Sequence, residues 1–293
     1  MRYSNPPLSS IDHEAALHAE RGEFARLLLI VAGIVLALLL ALDRLAVWAA
    51  PRLPFAWEVE IARSTGLDTL ALGMKDSQAS IDAAQQQALT AELQRRLDRI
   101  AQAIELPPDI RPTAHFVDST TINAVATLGG HVAVFAGLLR QLEYEEELDA
   151  VLAHELGHIQ HRHMVRQLSR GLSAAAALGL VGIRSPTLNR WLIGDVQRLS
   201  QLAYSRQAEQ EADATAAQAS LRLYGHTGGL QRLFQRFQAL HAKHGGDYGE
   251  WASMLQTHPH PAERLRAIPN SGAAHAALTP LRGALKLAPI PNK

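Results

Sequence analysis

The chain has 293 residues, 28 basic against 28 acidic side chains, no cysteine and 14 histidines. A length of this order allows one or two domains with a sizeable core. Zero net charge excludes a strongly basic nucleic-acid binder and gives no electrostatic pull toward anionic lipid. The missing cysteines exclude disulfides, thiolate zinc fingers, thiol nucleophiles and a lipid-modified N-terminal cysteine. Any zinc site must therefore draw on His, Asp or Glu.

Residues 1–26 form a polar segment. Residues 27–42 are sixteen uninterrupted apolar or small side chains. Crossing the hydrocarbon core takes about 20 residues. Residues 27–50 reach that length if Asp43 and Arg44 lie near one interface, with Arg44 snorkelling and Trp48 in the aromatic belt. The expectation is one uncleaved transmembrane anchor over 27–50. The upstream acids Asp12, Glu14, Glu20 and Glu23 are wrong for a short cationic leader. Arg2, Arg21 and Arg26 precede the span and Arg44, Arg52 and Arg63 follow it, so the positive-inside rule leaves orientation open.

Residues 51–82 read as a linker with short elements. Residues 83–106 carry helical periodicity and stop at Pro107-Pro108. Short strands are expected over 111–118 and 121–125, then a turn at Gly129-Gly130 and an alternating strand over His131–Phe135. Beyond Gly137 nearly everything reads helical. The apolar run 172–183 is too short to span a bilayer; it reads as a core helix or a hairpin touching the membrane surface. The metal-binding domain is expected over 83–270, and the Ala/Gly/Pro-rich residues 271–293 read as a flexible tail.

Residues 154–158 spell His-Glu-Leu-Gly-His on a helix predicted over 145–170. Residues four apart share a helix face, so His154 and His158 can offer ring nitrogens to one Zn²⁺. Glu155 is turned by about 100°, near enough to act as base without occupying the metal. Gly157 costs about 1 kcal/mol relative to Ala mid-helix and makes sense if something packs closely there. The longer motif with Gly and a third His is excluded, because 161 is His and 164 is Met. His161 and His163 read as packing or surface histidines. A downstream helix offers Glu209 and Asp213 on one face, with alanines at 208, 212 and 216 that permit close helix approach. Glu209 is the expected third ligand and Glu211, which points away, the fallback. Asp213 would orient a ligand histidine through its second ring N–H.

Together these residues resemble the membrane zinc metallopeptidases of the HtpX and CaaX prenyl protease type. Four motifs fall in the family's order: the Asn-Ala-Val-Ala segment from Asn123 with its Gly-Gly turn, HExxH from His154, Glu-x-x-Ala-Asp from Glu209, and His258-Pro259 with Arg264 following. Leu128 departs from the proline often found before the Gly pair. The resemblance implies an α+β, mainly helical gluzincin fold with a small edge-stranded sheet, one zinc ion, and endopeptidase action on unfolded, membrane or envelope proteins in quality control. The expected location is the bacterial inner membrane, single-pass, with a periplasmic catalytic domain as one of the two sides left open, because relatives vary in topology; the charge balance argues against a nucleic-acid partner. Arg264 is expected to pair with a buried carboxylate such as Asp213. His258 has two open roles: donor to the tetrahedral oxyanion, or a plug on the metal's open position; His260 competes for either. The strand carrying His131, Val132 and Ala133 would take an extended peptide by edge pairing, with Asn123 holding this segment or touching substrate backbone. Two rival readings are a non-proteolytic zinc-stabilised assembly factor for envelope proteins and a lipid or peptidoglycan amidase.

Overall fold

The computed structural model describes residues 13–49, 52–66, 81–169, 203–243, 252–259, 261–272 and 276–287. The run 172–193 and His260 lie outside them. Helix α1 (His13–Ala49) contains the apolar stretch. Its segment Arg21–Leu45 is 25 residues long, is apolar enough to cross a bilayer, and has no part buried by the rest of the chain. The expected linker then holds a second helix, α2 (Phe55–Thr65), which starts after Pro54 and ends at Gly66 with φ 71°. Proline at the entry and a left-handed glycine at the exit are the usual punctuation of a short helix.

Helix α3 (Ala83–Ala103) opens with Asp82, whose side chain accepts from the Gln85 amide at 2.8 Å. Its apolar positions Leu89, Leu93, Leu97 and Ile100 are fully buried. Each contributes about 1.5–3 kcal/mol relative to an exposed position. Three strands follow: β1 (Thr113–Val117), β2 (Ala124–Thr127) and β3 (His131–Phe135). They form one sheet in the order β1-β3-β2, with β1 parallel and β2 antiparallel to β3. Gly129 and Gly130, both at φ 84°, turn β2 into β3. A side chain at this φ would be strained, which is why two glycines close the hairpin.

This order corrects one expectation. Strand β3 is central and bonded on both sides, so its backbone has no free edge for a peptide. The outer strand next to the site is β2.

A short helix, α4 (Ala136–Gln141), leads into α5 (Glu145–Gln160), which carries HExxH. Glu145, Glu146 and Glu147 sit in its first turn, where acidic groups suit the helix dipole. The predicted helix over 145–170 breaks at His161-Arg162: Arg162 takes φ 56° and the chain is helical again over 163–169. The remaining helices are α6 (Arg206–Tyr224), α7 (Gly228–Lys243), α8 (Ala252–Thr257) and α9 (Pro261–Ala267). Helix α6 packs directly on α5. A Cβ at Gly157 would lie 2.8 Å from the Ala212 Cα, so the glycine lets the two backbones meet.

The tail also departs from expectation. Leu281 and Leu285 are buried in the main core. Thr279 accepts the Glu145 amide at 2.8 Å and donates its own to Glu146. Residues 276–287 thus seal the N-terminal end of the active-site helix instead of hanging free.

Candidate metal centre

Helix α5 places His154 and His158 on one face, and α6 brings Glu209 against them. His258, just past α8, completes the group. One donor atom from each of the four lies within 4.8 Å of the others, and all four side chains are buried. The Nε2 atoms of His154 and His158 are 3.0 Å apart. Glu209 oxygens lie 3.6 Å from His154 Nε2 and 3.7 Å from His158 Nε2. His258 Nδ1 lies 3.2 Å from His154 Nε2 and 3.1 Å from Glu209 Oε1. A tetrahedral ion with ligands at 2.0–2.2 Å separates its donors by roughly 3.3 Å. The donor set therefore fits one zinc.

Hydrogen bonding makes the same point. His154 Nδ1 donates to Asp213 Oδ1 at 3.0 Å. His158 Nδ1 donates to His163 Nδ1 at 2.8 Å. With both Nδ1 atoms protonated, both Nε2 atoms face each other as lone pairs, an arrangement that calls for a cation between them. Burial, with His154 and His258 beside it, holds the His158 imidazole well below its ordinary pKa, so the ring is neutral, as a metal donor must be. Burial works against the Glu209 carboxylate, but His258, Arg264 and His154 outweigh it and keep the group ionised.

Arg264 and Asp213 are brought together as the motif order implied. Arg264 Nε and one terminal nitrogen bind the two Asp213 oxygens at 2.8 and 2.7 Å, and its other nitrogen contacts Glu209 at 2.6 Å. One guanidinium thus fixes Glu209, a candidate metal donor, and Asp213, which bonds the candidate donor His154. The paired charges drive Asp213 down in pKa against its burial.

Glu155 is fully buried. Its Oε2 accepts the Ala126 amide of β2 at 2.7 Å, while Oε1 has no hydrogen-bond partner. Burial raises its pKa above the ordinary carboxylate value, which suits a group that must take and return a proton. His258 Nε2 is 3.5 Å from Oε1. Burial disfavours an imidazolium at His258, but Glu209 and Glu155 prevail and raise its pKa. Asn123 is buried and holds the start of β2: its Oδ1 accepts the Ala124 amide at 2.9 Å and its carbonyl accepts the Phe135 amide at 3.1 Å. His131, Val132 and Ala133 lie in the central strand, and the His131 ring pairs with His115 at 2.9 Å.

Two parts of the site escaped the sequence. Of the two readings of His163, packing or surface, it is the buried one that holds, and its polar contacts add to it: its Nδ1 hydrogen-bonds His158 Nδ1 and its Nε2 meets Glu211 Oε2 at 2.9 Å. Burial lowers its pKa to about 4, so it relays as a neutral ring. On an unbroken helix residue 163 would point about 140° from 158. The left-handed turn at Arg162 brings it round, and nothing in an arginine announces such a turn. Glu211, the fallback ligand, serves as the anchor of His163, held also by Arg166 and Gln207. Tyr204 stacks on the His158 ring with centroids 3.9 Å apart. His161 keeps its packing role beside Thr215.

Comparison with known proteins agrees with this geometry. Residues 87–271 match the profile of Peptidase family M48. The chain is 32% identical over 173 residues to the putative beta-barrel assembly-enhancing protease of Vibrio cholerae, covering 52% of this chain and 33% of that protein. It is 30% identical over 179 residues to metalloprotease YcaL of Escherichia coli, covering 59% and 68%. It is 32% identical over 187 residues to the mitochondrial metalloendopeptidase OMA1 of Schizosaccharomyces pombe, covering 61% and 52%. The match thus spans a third of the first relative and half of the third. The matched segment carries the buried cluster of His154, His158, Glu209 and His258: the chain belongs to peptidase family M48.

Proposed function

We propose that this chain is a membrane-anchored endopeptidase that cleaves unfolded or misassembled envelope proteins. His154, His158 and Glu209 hold the zinc, and Glu155 is the base. When bound, zinc supplies Lewis-acid polarisation of the scissile carbonyl and of the attacking water. Glu155 Oε1 takes the proton of that water and returns it to the leaving amine, while Oε2 stays bonded to Ala126. The observation that carries this reading is the split Glu155 carboxylate, with one oxygen tied to the sheet edge and the other buried without a partner beside the metal donors. With its outward amides at Ala124 and Ala126 taken by Asn123 and Glu155, strand β2 supports binding of an extended peptide through its outward carbonyls, which gives affinity through main-chain bonds and loose sequence preference. The four shared motifs support a place near the HtpX and CaaX prenyl protease branch of the family.

The anchor rests on α1, and the envelope substrate on the beta-barrel assembly-enhancing relatives. A single pass through a bacterial inner membrane, with the catalytic domain in the periplasm, is the topology proposed. His258 sits among the metal donors and within reach of Glu155, which supports its role as a plug on the open coordination position. Leaving that position, it would be placed to meet the oxyanion.

Glu155→Gln is expected to keep zinc and lose about 10²–10⁴-fold in cleavage of casein or an unfolded membrane protein. Retained cleavage overturns the mechanism. A Glu155→Gln variant that still complements a deletion strain would support a non-proteolytic assembly factor instead. His258→Ala is expected to raise basal turnover if the ring is a plug; lower turnover assigns it to the oxyanion.

A further inference from the structure

The juxtamembrane helix α2 has two unlike faces. Phe55, Glu58 and Ala62 are buried at 3, 5 and 0% exposure, whereas Leu53, Trp57 and Ile61 are 39, 59 and 48% exposed. The buried face is bolted to the catalytic domain at three places. Glu58 Oε1 accepts the Gly129 amide at 3.1 Å, in the turn that ends β2. Glu58 Oε2 pairs with Arg162 at 2.5 Å, at the break after the active-site helix. Arg162 also donates to the Leu53 carbonyl at 3.3 Å and lies over the Phe55 ring. Phe55 in turn rests on Gly130, where an added Cβ would be 3.0 Å from its ring.

Trp57 and Ile61 lie four apart and share one face of α2, with exposed Glu60 beside them, and Leu53 sits in the chain two residues before the helix. The distance of this face from the end of α1 is limited by the chain itself. From Ala49 to Phe55 there are six residue steps, which span at most about 20 Å. Helix α2 is about 16 Å long, and the headgroup layer of each leaflet is roughly 5–7 Å deep. If α1 crosses a bilayer, α2 starts within about 20 Å of the end of α1, near enough to reach the headgroup layer. Exposed Arg52 and Arg63 flank this face, and tryptophan is the side chain most at home at that depth. A helix with an apolar face and cationic flanks lies in the interface plane.

We propose that the Trp57/Ile61 face of α2, with Leu53 just before the helix, rests in the bilayer headgroup region, with the other face gripping the β2–β3 turn and the end of α5. The occupant of this face is lipid. The metal site is then carried at a fixed short distance from the membrane surface, suited to peptide segments emerging from the bilayer. The inference rests on the proposed anchor.

The test uses the full chain in phospholipid nanodiscs, and the absence of native cysteine makes every introduced cysteine unique. Leu36→Cys reports on the anchor, Trp57→Cys and Ile61→Cys on this face of α2, and Gln218→Cys on an exposed position of α6. Each carries an environment-sensitive fluorophore, and zinc content confirms the fold. The expected result is a blue shift at 36, 57 and 61, with the labels at 57 and 61 quenched several-fold more by shallow nitroxide lipid than by deep nitroxide lipid. Position 218 should stay aqueous. Labels at 57 and 61 that behave like 218 while 36 lies in lipid overturn the inference and leave the anchor standing. An aqueous 36 removes the anchor and the inference with it. Shielding at 57 and 61 that persists in lipid-free amphipol assigns the face to protein, and its loss on dilution identifies a second copy; either overturns lipid as the occupant.

Discussion

The two histidines of HExxH stand four residues apart on one helix and are held in different ways. His154 leans on Asp213, which is locked to Arg264 in a bidentate pair, all of it buried. His158 leans on a neutral ring, His163, whose own anchor Glu211 is partly exposed. The first hold joins three helices, α5, α6 and α9, through full charges. The second reaches from just past the end of α5 to the outer side of α6 through a chain of hydrogen bonds. Breaking a buried ion pair strands a charge, whereas breaking the bond between two neutral rings strands none, and the partly exposed Glu211 at the far end can be met by water. The His154 side should therefore govern folding, and the His158 side should tune the metal.

Arg264→Met tests the first half. It leaves the Asp213 and Glu209 carboxylates buried together without their cation, and is expected to destabilise the zinc-free protein by about 3–5 kcal/mol, read by urea unfolding. A loss no larger than that of a surface substitution would erase the distinction between the two sides. His163→Ala tests the second half. It frees the His158 ring to rotate and is expected to weaken zinc binding about 10–100-fold in a chelator competition. The unfolding midpoint of the zinc-free protein should fall much less than for Arg264→Met. His163→Gln, which can still accept a hydrogen bond from His158, should restore part of the affinity. Glu211→Gln is the mildest. A partly exposed carboxylate is worth about 0–1 kcal/mol, so stability should barely change and zinc affinity should drop less than for His163→Ala. A larger drop for Glu211→Gln would mean that the carboxylate acts directly on the metal site.

Much of the His154 side was legible in sequence because its pieces obey helical spacing or sit in recognisable motifs. His154 and His158, Glu209 and Asp213, and the alanines facing Gly157 all follow the four-residue repeat. Arg264 followed from the motif after His258. The His158 side was illegible because it depends on a backbone reversal at Arg162, a residue type with no preference for positive φ. The conformation persists because Arg162 gains Glu58, Leu53 and Phe55 as partners, all from a segment read as linker. Strand β3 was placed to the residue, yet its position in the sheet was not. Alternation tells which face a side chain takes, but says nothing of which neighbours a strand has. The tail looked disordered by composition, and its few leucines nonetheless found the open end of the core.

The sequence by itself determined the donor chemistry. Without cysteine, any metal donors had to be histidine or carboxylate, and helical periodicity put His154 with His158 and Glu209 with Asp213 on shared faces. It also determined that residues 27–42 form an apolar run with no charge to interrupt it. Only the tertiary structure decided which strand offers its edge, how His163 and Glu211 join the site, and that α2 packs on the β2–β3 turn and the break after α5. Local pattern is written in side-chain spacing over a few residues. Those later features depend on contacts between segments far apart in the chain, where burial and charge pairing select among local conformations that the sequence alone leaves nearly equal.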